Sequence, residues 1–227
     1  MPYSLGWYHW SKRPQHNIPQ YSMFTQFHTL LQSPGLMKTV TNGDCFFDTM
    51  HKITHLYTAR QWRQNLSQAL LNKKVFTQKQ YLQSMVDWAD YPIVYEAIRQ
   101  VNRPCCVVQH EYPNAVMLIR PHKVPFTPTN LMYLVYDHGV HFTSFINPIT
   151  PPELIEGMNT MERVGMHEEE EGLTVTHGSL NDLLRPCLVH KNRETFMRRY
   201  EARHGIVPTK RTQKRGRTKR IRTRKRR

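Results

Sequence analysis

Cys45 stands directly after a glycine-containing turn, in the run Thr41-Asn42-Gly43-Asp44-Cys45-Phe46-Phe47. Beyond it, Phe46, Met50, Ile53 and Tyr57 recur at i, i+4, i+7 and i+11, which predicts one face of a helix. A cysteine in the first turn of a helix meets free backbone N–H groups and the positive end of the helix dipole, and both favour a thiolate. The same N–H groups can bind the oxyanion of an acyl-transfer intermediate. The competing reading of an isolated cysteine is a buried structural thiol.

A cysteine nucleophile needs a base. The chain has 13 histidines, so their number decides nothing, and position has to. His141 follows a turn at Asp137-His138-Gly139 and opens the strand-like run His141-Phe142-Thr143-Ser144-Phe145-Ile146. Apolar neighbours on a strand would hold an imidazole rigidly, as a general base requires. His51 and His55 share a helix face at metal-ligand spacing. No acidic or cysteine partner stands with them, so no metal is assigned. Cys105 and Cys106 open an apolar strand and read as core, Cys187 carries no signal, and His138 reads as solvated. Trp88 reads as core, with a place along a substrate channel as the sharper rival.

The elements that must position these groups follow from periodicity. Tyr21, Phe24, Phe27 and Leu31 fit a short helix closed by Ser33-Pro34-Gly35. Thr58 with Gln61, and Thr77 with Gln80, are capping boxes that start helices carrying Trp62, Leu66, Ala69 and Leu70, and Tyr81, Met85 and Trp88. Another helix opens at Pro92 and buries Ile93, Ala97, Ile98 and Val101. Strand-like runs then occupy 105–109, 115–119, 131–136 and 141–146, the last two joined as a hairpin. Helices followed by hairpin-linked strands indicate an α+β fold with a small, mainly antiparallel sheet. The acidic run 168–171 reads as a solvated loop, and a final helix is expected over 194–203. The division expected is 1–35 as an N-terminal extension, 36–150 as the folded body, 151–208 as a C-terminal extension and 209–227 as a disordered basic tail.

Within residues 36–148 the sequence resembles the ovarian tumour (OTU) family of cysteine proteases. TNGDCFF is similar to that family's D-G-[ND]-C-[LF]-[FY] signature, and VHFTSFINP resembles its histidine block. Between them, Trp88 to Tyr91 and Glu96-Ala97-Ile98 resemble a W-G-x-x-x-E-[IL]-x-A-[LM]-A stretch. Asn102-Arg103-Pro104 and a strand follow it, as in the family. The three blocks stand in the family's order, with 96 residues from Cys45 to His141.

The resemblance implies a papain-like deubiquitinase without a cofactor. Cys45 would attack the carbonyl after the C-terminal glycine of ubiquitin or a ubiquitin-like modifier. His141 would be the base, and the N–H groups of Asp44 and Cys45 would line the oxyanion hole. Asn42 stands where the family usually has Asp, and Thr143 stands two after the histidine, where an acid or amide is frequent. Asn42 is taken as the residue that orients His141, with Asp137 and Asn147 as rivals. The competing function is a catalytically degenerate fold acting as a basic nucleic-acid-binding or scaffold protein.

Charge bears on that alternative. The net charge is +15, and 12 of the 32 Lys and Arg lie in 210–227, which has no acid. The rest holds 20 basic and 17 acidic residues, a net of +3. The tail therefore reads as a nuclear address, a sequence-independent contact for RNA or DNA phosphates, or both. No apolar run is long enough to span a membrane, and the first residues do not form a secretory signal. The expected location is nucleus or cytoplasm, with reduced thiols.

Overall fold

The structure, a computed structural model, describes residues 20–109, 115–137, 141–189 and 195. The side chains at 20–22 and of Asp137 are outside that description. In chain order the elements are α1 (Gln20–Leu30), α2 (Cys45–Thr54), α3 (Ala59–Asn72), α4 (Gln78–Ser84), α5 (Tyr91–Val101), β1 (Cys105–Gln109), β2 (Ala115–Pro121), β3 (Met132–Asp137), β4 (His141–Thr143), α6 (Pro152–Val164), β5 (Met166–Glu170) and β6 (Leu173–Ser179). Residues 180–189 are also helical. The fold is α+β, built on one six-stranded sheet.

The sheet order is β4-β3-β1-β2-β6-β5. β1 runs parallel to β3, and every other neighbouring pair is antiparallel. Both faces of its centre are covered, which explains why β1 reads as continuously apolar. Cys105 and Val107 face a core formed with α2, α3 and α5, around Phe46, Phe47, Met50, Trp62, Leu66 and Ile98. Cys106 and Val108 face the opposite core, around Phe24, Phe27, Tyr133, Phe145, Leu154, Met158 and Leu183. That second core draws on α1, α6 and the helical segment 180–189, so both segments expected as extensions supply buried residues to the sheet.

Local sequence chemistry accounts for the helix starts. Thr58 and Thr77 each accept the backbone N–H three residues on, and Gln61 and Gln80 return the bond. Asp90 caps α5 through the Ile93 N–H, with Pro92 in its first turn. α2 stops at His55, which adopts a left-handed conformation, one turn short of the expected end at Tyr57. Tyr57 instead packs edge-on against Trp62.

Four expectations need correction. The acidic run 168–171 is not a loop: residues up to Glu170 lie in β5, paired with β6. Its side chains are solvated because β5 is an edge strand, and charge on an edge blocks further pairing. Trp88 is 49% exposed and outside the core, because α4 ends at Ser84 and does not carry it inward. β4 ends at Thr143 rather than 146, since Phe145 bridges to Leu36 and turns into the second core. The irregular stretch after 150 contains α6, β5 and β6, whose periods are short and interrupted. The helix expected over 194–203 and the tail 209–227 fall outside the described residues, apart from Thr195.

Candidate functional site

The turn before Cys45 is held by the side chain and carbonyl of Asn42. Asn42 Oδ1 accepts the Asp44 N–H at 3.1 Å, and its carbonyl accepts the Cys45 N–H at 3.2 Å. Such an Asx-type turn is what an Asn-Gly pair favours. Asp44 occupies the N-cap of α2 without capping it through its carboxylate. That carboxylate turns outward to Arg63, and the helix begins with the Asp48 N–H donating to the Asp44 carbonyl.

Cys45 follows at the head of α2, 1% exposed and unbridged. The Phe142 N–H donates to its Sγ at 3.4 Å, which places the thiol against the strand headed by His141. Thr49 reinforces the join: its hydroxyl is 2.7 Å from the Cys45 carbonyl and 3.2 Å from that of Phe142. Phe142 also packs edge-on against Phe46 and leans on Tyr136. The helix head and the strand are therefore clamped by both backbone and side chains.

Burial pushes the Cys45 thiol up from its ordinary value. The N–H groups of Phe142, Phe46 and Cys45 pull it down, while the nearby Asp44 carboxylate raises it further. The sequence pointed to a thiolate favoured by the helix end. In the folded protein desolvation outweighs these backbone N–H bonds, so the balance shifts toward the neutral thiol.

His141 is half-buried, and its Nε2 lies 2.8 Å from Oγ1 of Thr39. Thr39 also contacts the Phe142 carbonyl at 3.0 Å. The segment carrying Thr39 lies beside β4: the Met37 N–H donates to the Ser144 carbonyl at 2.8 Å and Thr143 Oγ1 donates to the Met37 carbonyl at 2.6 Å. At its other end the Val40 N–H donates to Asp48 Oδ2 of α2 at 3.0 Å.

The structure thus brings Cys45 and the His141–Phe142 peptide together. Asn42 Oδ1 accepts the Asp44 N–H within its own turn, and the hydroxyl at His141 Nε2 is that of Thr39. The N–H groups of Asp44 and Cys45, expected to be free for an oxyanion, both donate to Asn42. Asp137 pairs with His141 in the β3–β4 register. Asn147 is exposed, beyond β4, with a positive φ of 43°. Thr143, two after the histidine, is buried and holds Met37. His51 directs Nδ1 to the Tyr57 carbonyl, at 2.7 Å.

Sequence reasoning missed two residues. Thr39 is 102 positions from His141, and no local pattern links them. Arg63 did leave a signal, as a cation flanking the apolar face of α3. Its guanidinium is buried and donates to Asp44, Gly43, Ser84 and Asp87.

The chain is similar to solved OTU domains. The OTU domain of OTUD1 is 13% identical, with 58% of this chain and 99% of that chain covered and a TM-score of 0.43. An OTU deubiquitinase from Wolbachia pipientis wMel, solved bound to ubiquitin, is 18% identical, with 50% and 96% covered and a TM-score of 0.39. The Hazara virus OTU, also bound to ubiquitin, is 10% identical, with 52% and 89% covered and a TM-score of 0.41. No family model matches the sequence, and no curated protein does.

Proposed function

We propose that this protein is a cysteine hydrolase that cleaves the isopeptide bond after the C-terminal glycine of ubiquitin or a ubiquitin-like modifier. The observation that carries this reading is the Phe142 N–H···Sγ contact, which joins the thiol of Cys45 to the residue following His141. The resemblance of the Cys45 and His141 blocks to those of the OTU family implies the substrate class.

In the proposed reaction the Cys45 proton passes to the His141 ring as Sγ attacks the carbonyl carbon. Burial raises the thiol's pKa, which makes that transfer part of the chemical step. His141 then gives its proton to the departing lysine amine, leaving a thioester on Cys45. Water attacks the thioester with His141 again as base, which frees the modifier's carboxylate and restores the thiol. The carbonyl oxygen becomes an anion during both attacks. For it to reach the Asp44 and Cys45 N–H groups, Asn42 must release them, so Asn42 acts as an internal acceptor that the substrate displaces.

The test is adduct formation with a ubiquitin bearing a C-terminal electrophile, followed by turnover of a panel of di-ubiquitins. One covalent adduct on the wild type and none on Cys45→Ala is expected. An unreactive wild type, folded by its melting curve, would leave the non-enzymatic reading in its place.

A further inference from the structure

We infer that Thr39 is the positioning residue for His141, fixing which ring nitrogen serves Cys45. The inference rests on the hydrolase reading above and adds a member that the sequence blocks do not contain.

Proton counting gives the direction of each bond. The Thr39 hydroxyl has one hydrogen and lies 2.8 Å from His141 Nε2 and 3.0 Å from the Phe142 carbonyl. A carbonyl only accepts, so the hydroxyl donates there. Its lone pair then accepts from His141, which puts the ring hydrogen on Nε2. The reverse assignment would leave two acceptors facing each other at 3.0 Å. With Nε2 carrying the hydrogen, Nδ1 holds the lone pair and is the nitrogen able to take the Cys45 proton.

The hydroxyl is also well anchored. Its segment is tied to β4 through Met37 and to α2 through Val40 and Asp48. Thr39 is therefore fixed relative to the helix that carries the thiol and to the strand that carries the base. A hydroxyl differs from a carboxylate in this place. It sets the tautomer and ring angle but adds no negative charge against an imidazolium.

The test uses the full-length protein with Thr39→Val and Thr39→Ser. On a ubiquitin-based substrate, Thr39→Val should lower kcat about tenfold, equivalent to about 1.4 kcal/mol of barrier, with KM within about twofold. Thr39→Ser, which keeps the hydroxyl, should recover kcat to within about threefold of the wild type. Separately, the imidazole 15N shifts of His141, assigned by their loss in His141→Ala, should report the Nε2–H tautomer in the wild type and Thr39→Ser. Thr39→Val should report a mixture. A Thr39→Val enzyme with wild-type kcat, or one with an unchanged tautomer, overturns the inference. Turnover that survives Cys45→Ala, or is missing from the wild type, sinks the hydrolase reading instead. The tautomer comparison still decides the role of Thr39 in that case.

Discussion

Arg63 Nε donates to Oδ1 of Asp44 at 2.8 Å, so a buried cation on α3 grips the residue immediately before Cys45. The same guanidinium donates through Nη2 to the Gly43 carbonyl at 2.7 Å and through Nη1 to the Ser84 and Asp87 carbonyls. It also lies 4.3 Å from the centroid of the Phe47 ring. The turn that positions Cys45 is thus tied to α3 and to the 84–87 segment by one planar group, whose fork geometry satisfies all four acceptors.

Arg63→Ala should therefore destabilise the protein by about 3 kcal/mol, because it removes a buried guanidinium and leaves three part-buried carbonyls without their donor. Arg63→Lys should recover little of this, since a point charge with three donors cannot span the four acceptors. Asp44→Asn should cost under about 1 kcal/mol, because the Asp44 side chain is 43% exposed and water can take over. Urea unfolding of the three variants checks the order. An Arg63→Ala loss no larger than that of Asp44→Asn would refute the strapping role.

Cys45 should alkylate with a pH midpoint above that of a free thiol when His141 is replaced by Ala. Burial raises the thiol's pKa, and the Asp44 carboxylate adds to it. The sign follows: the reactive thiolate appears only as pH climbs past the ordinary thiol range, and removing the Asp44 charge moves the midpoint down. Iodoacetamide rates at Cys45, read by peptide mapping of His141→Ala and of His141→Ala with Asp44→Asn, measure both shifts. A midpoint at or below that of free cysteine would mean that the helix end dominates after all.

The capping boxes at Thr58 and Thr77 were legible because both partners lie within one turn of chain. The apolar runs 105–109 and 131–136 were legible because strands buried on both faces need no alternation. Cys45 and His141 could be singled out by the turn and the strand beside them. Thr39 could not, since its contact with His141 forms only when the sheet brings 37–40 alongside β4. β5 was read as a loop because four consecutive glutamates look solvated. They are, but Glu168, Glu169 and Glu170 lie on an edge strand whose pairing depends on β6. The turn at Asn42 was not legible for a related reason: a motif assigns a residue to a role, while the Asx turn that its oxygen closes is a matter of local geometry.

The basic tail should account for most nucleic-acid affinity. Deleting 210–227 removes 12 Lys and Arg and leaves a body of net +3. Each cation that neutralises a phosphate releases counterions, so the intact chain should bind RNA or DNA with a steep salt dependence that the deletion flattens. Turnover of a ubiquitin-based substrate should stay within about twofold, or about 0.4 kcal/mol of barrier. Filter binding across a salt series, with and without the tail, measures the slope. Equal slopes would place any such contact on the body.

Gly157→Ala should destabilise the protein although alanine is the better helix former. A Cβ built at Gly157 would run into the carbonyl oxygen of Leu183, a clash that no rotamer change relieves because the backbone fixes both atoms. α6 approaches residues 180–189 that closely in order to bury Leu154, Met158 and Met161 with Leu180, Leu183 and Leu184 beneath the sheet. Forcing the two helices apart should cost about 2–3 kcal/mol against a propensity gain of about 1 kcal/mol. At this chain length the net loss lowers Tm by about 5 °C. Asn159→Ala, at an exposed position on the same helix, gains propensity without meeting a neighbour and should hold or raise Tm. If Gly157→Ala melts with Asn159→Ala, the close approach of α6 to the 180–189 helix does not exist in solution, and the second core is looser than its buried residues imply.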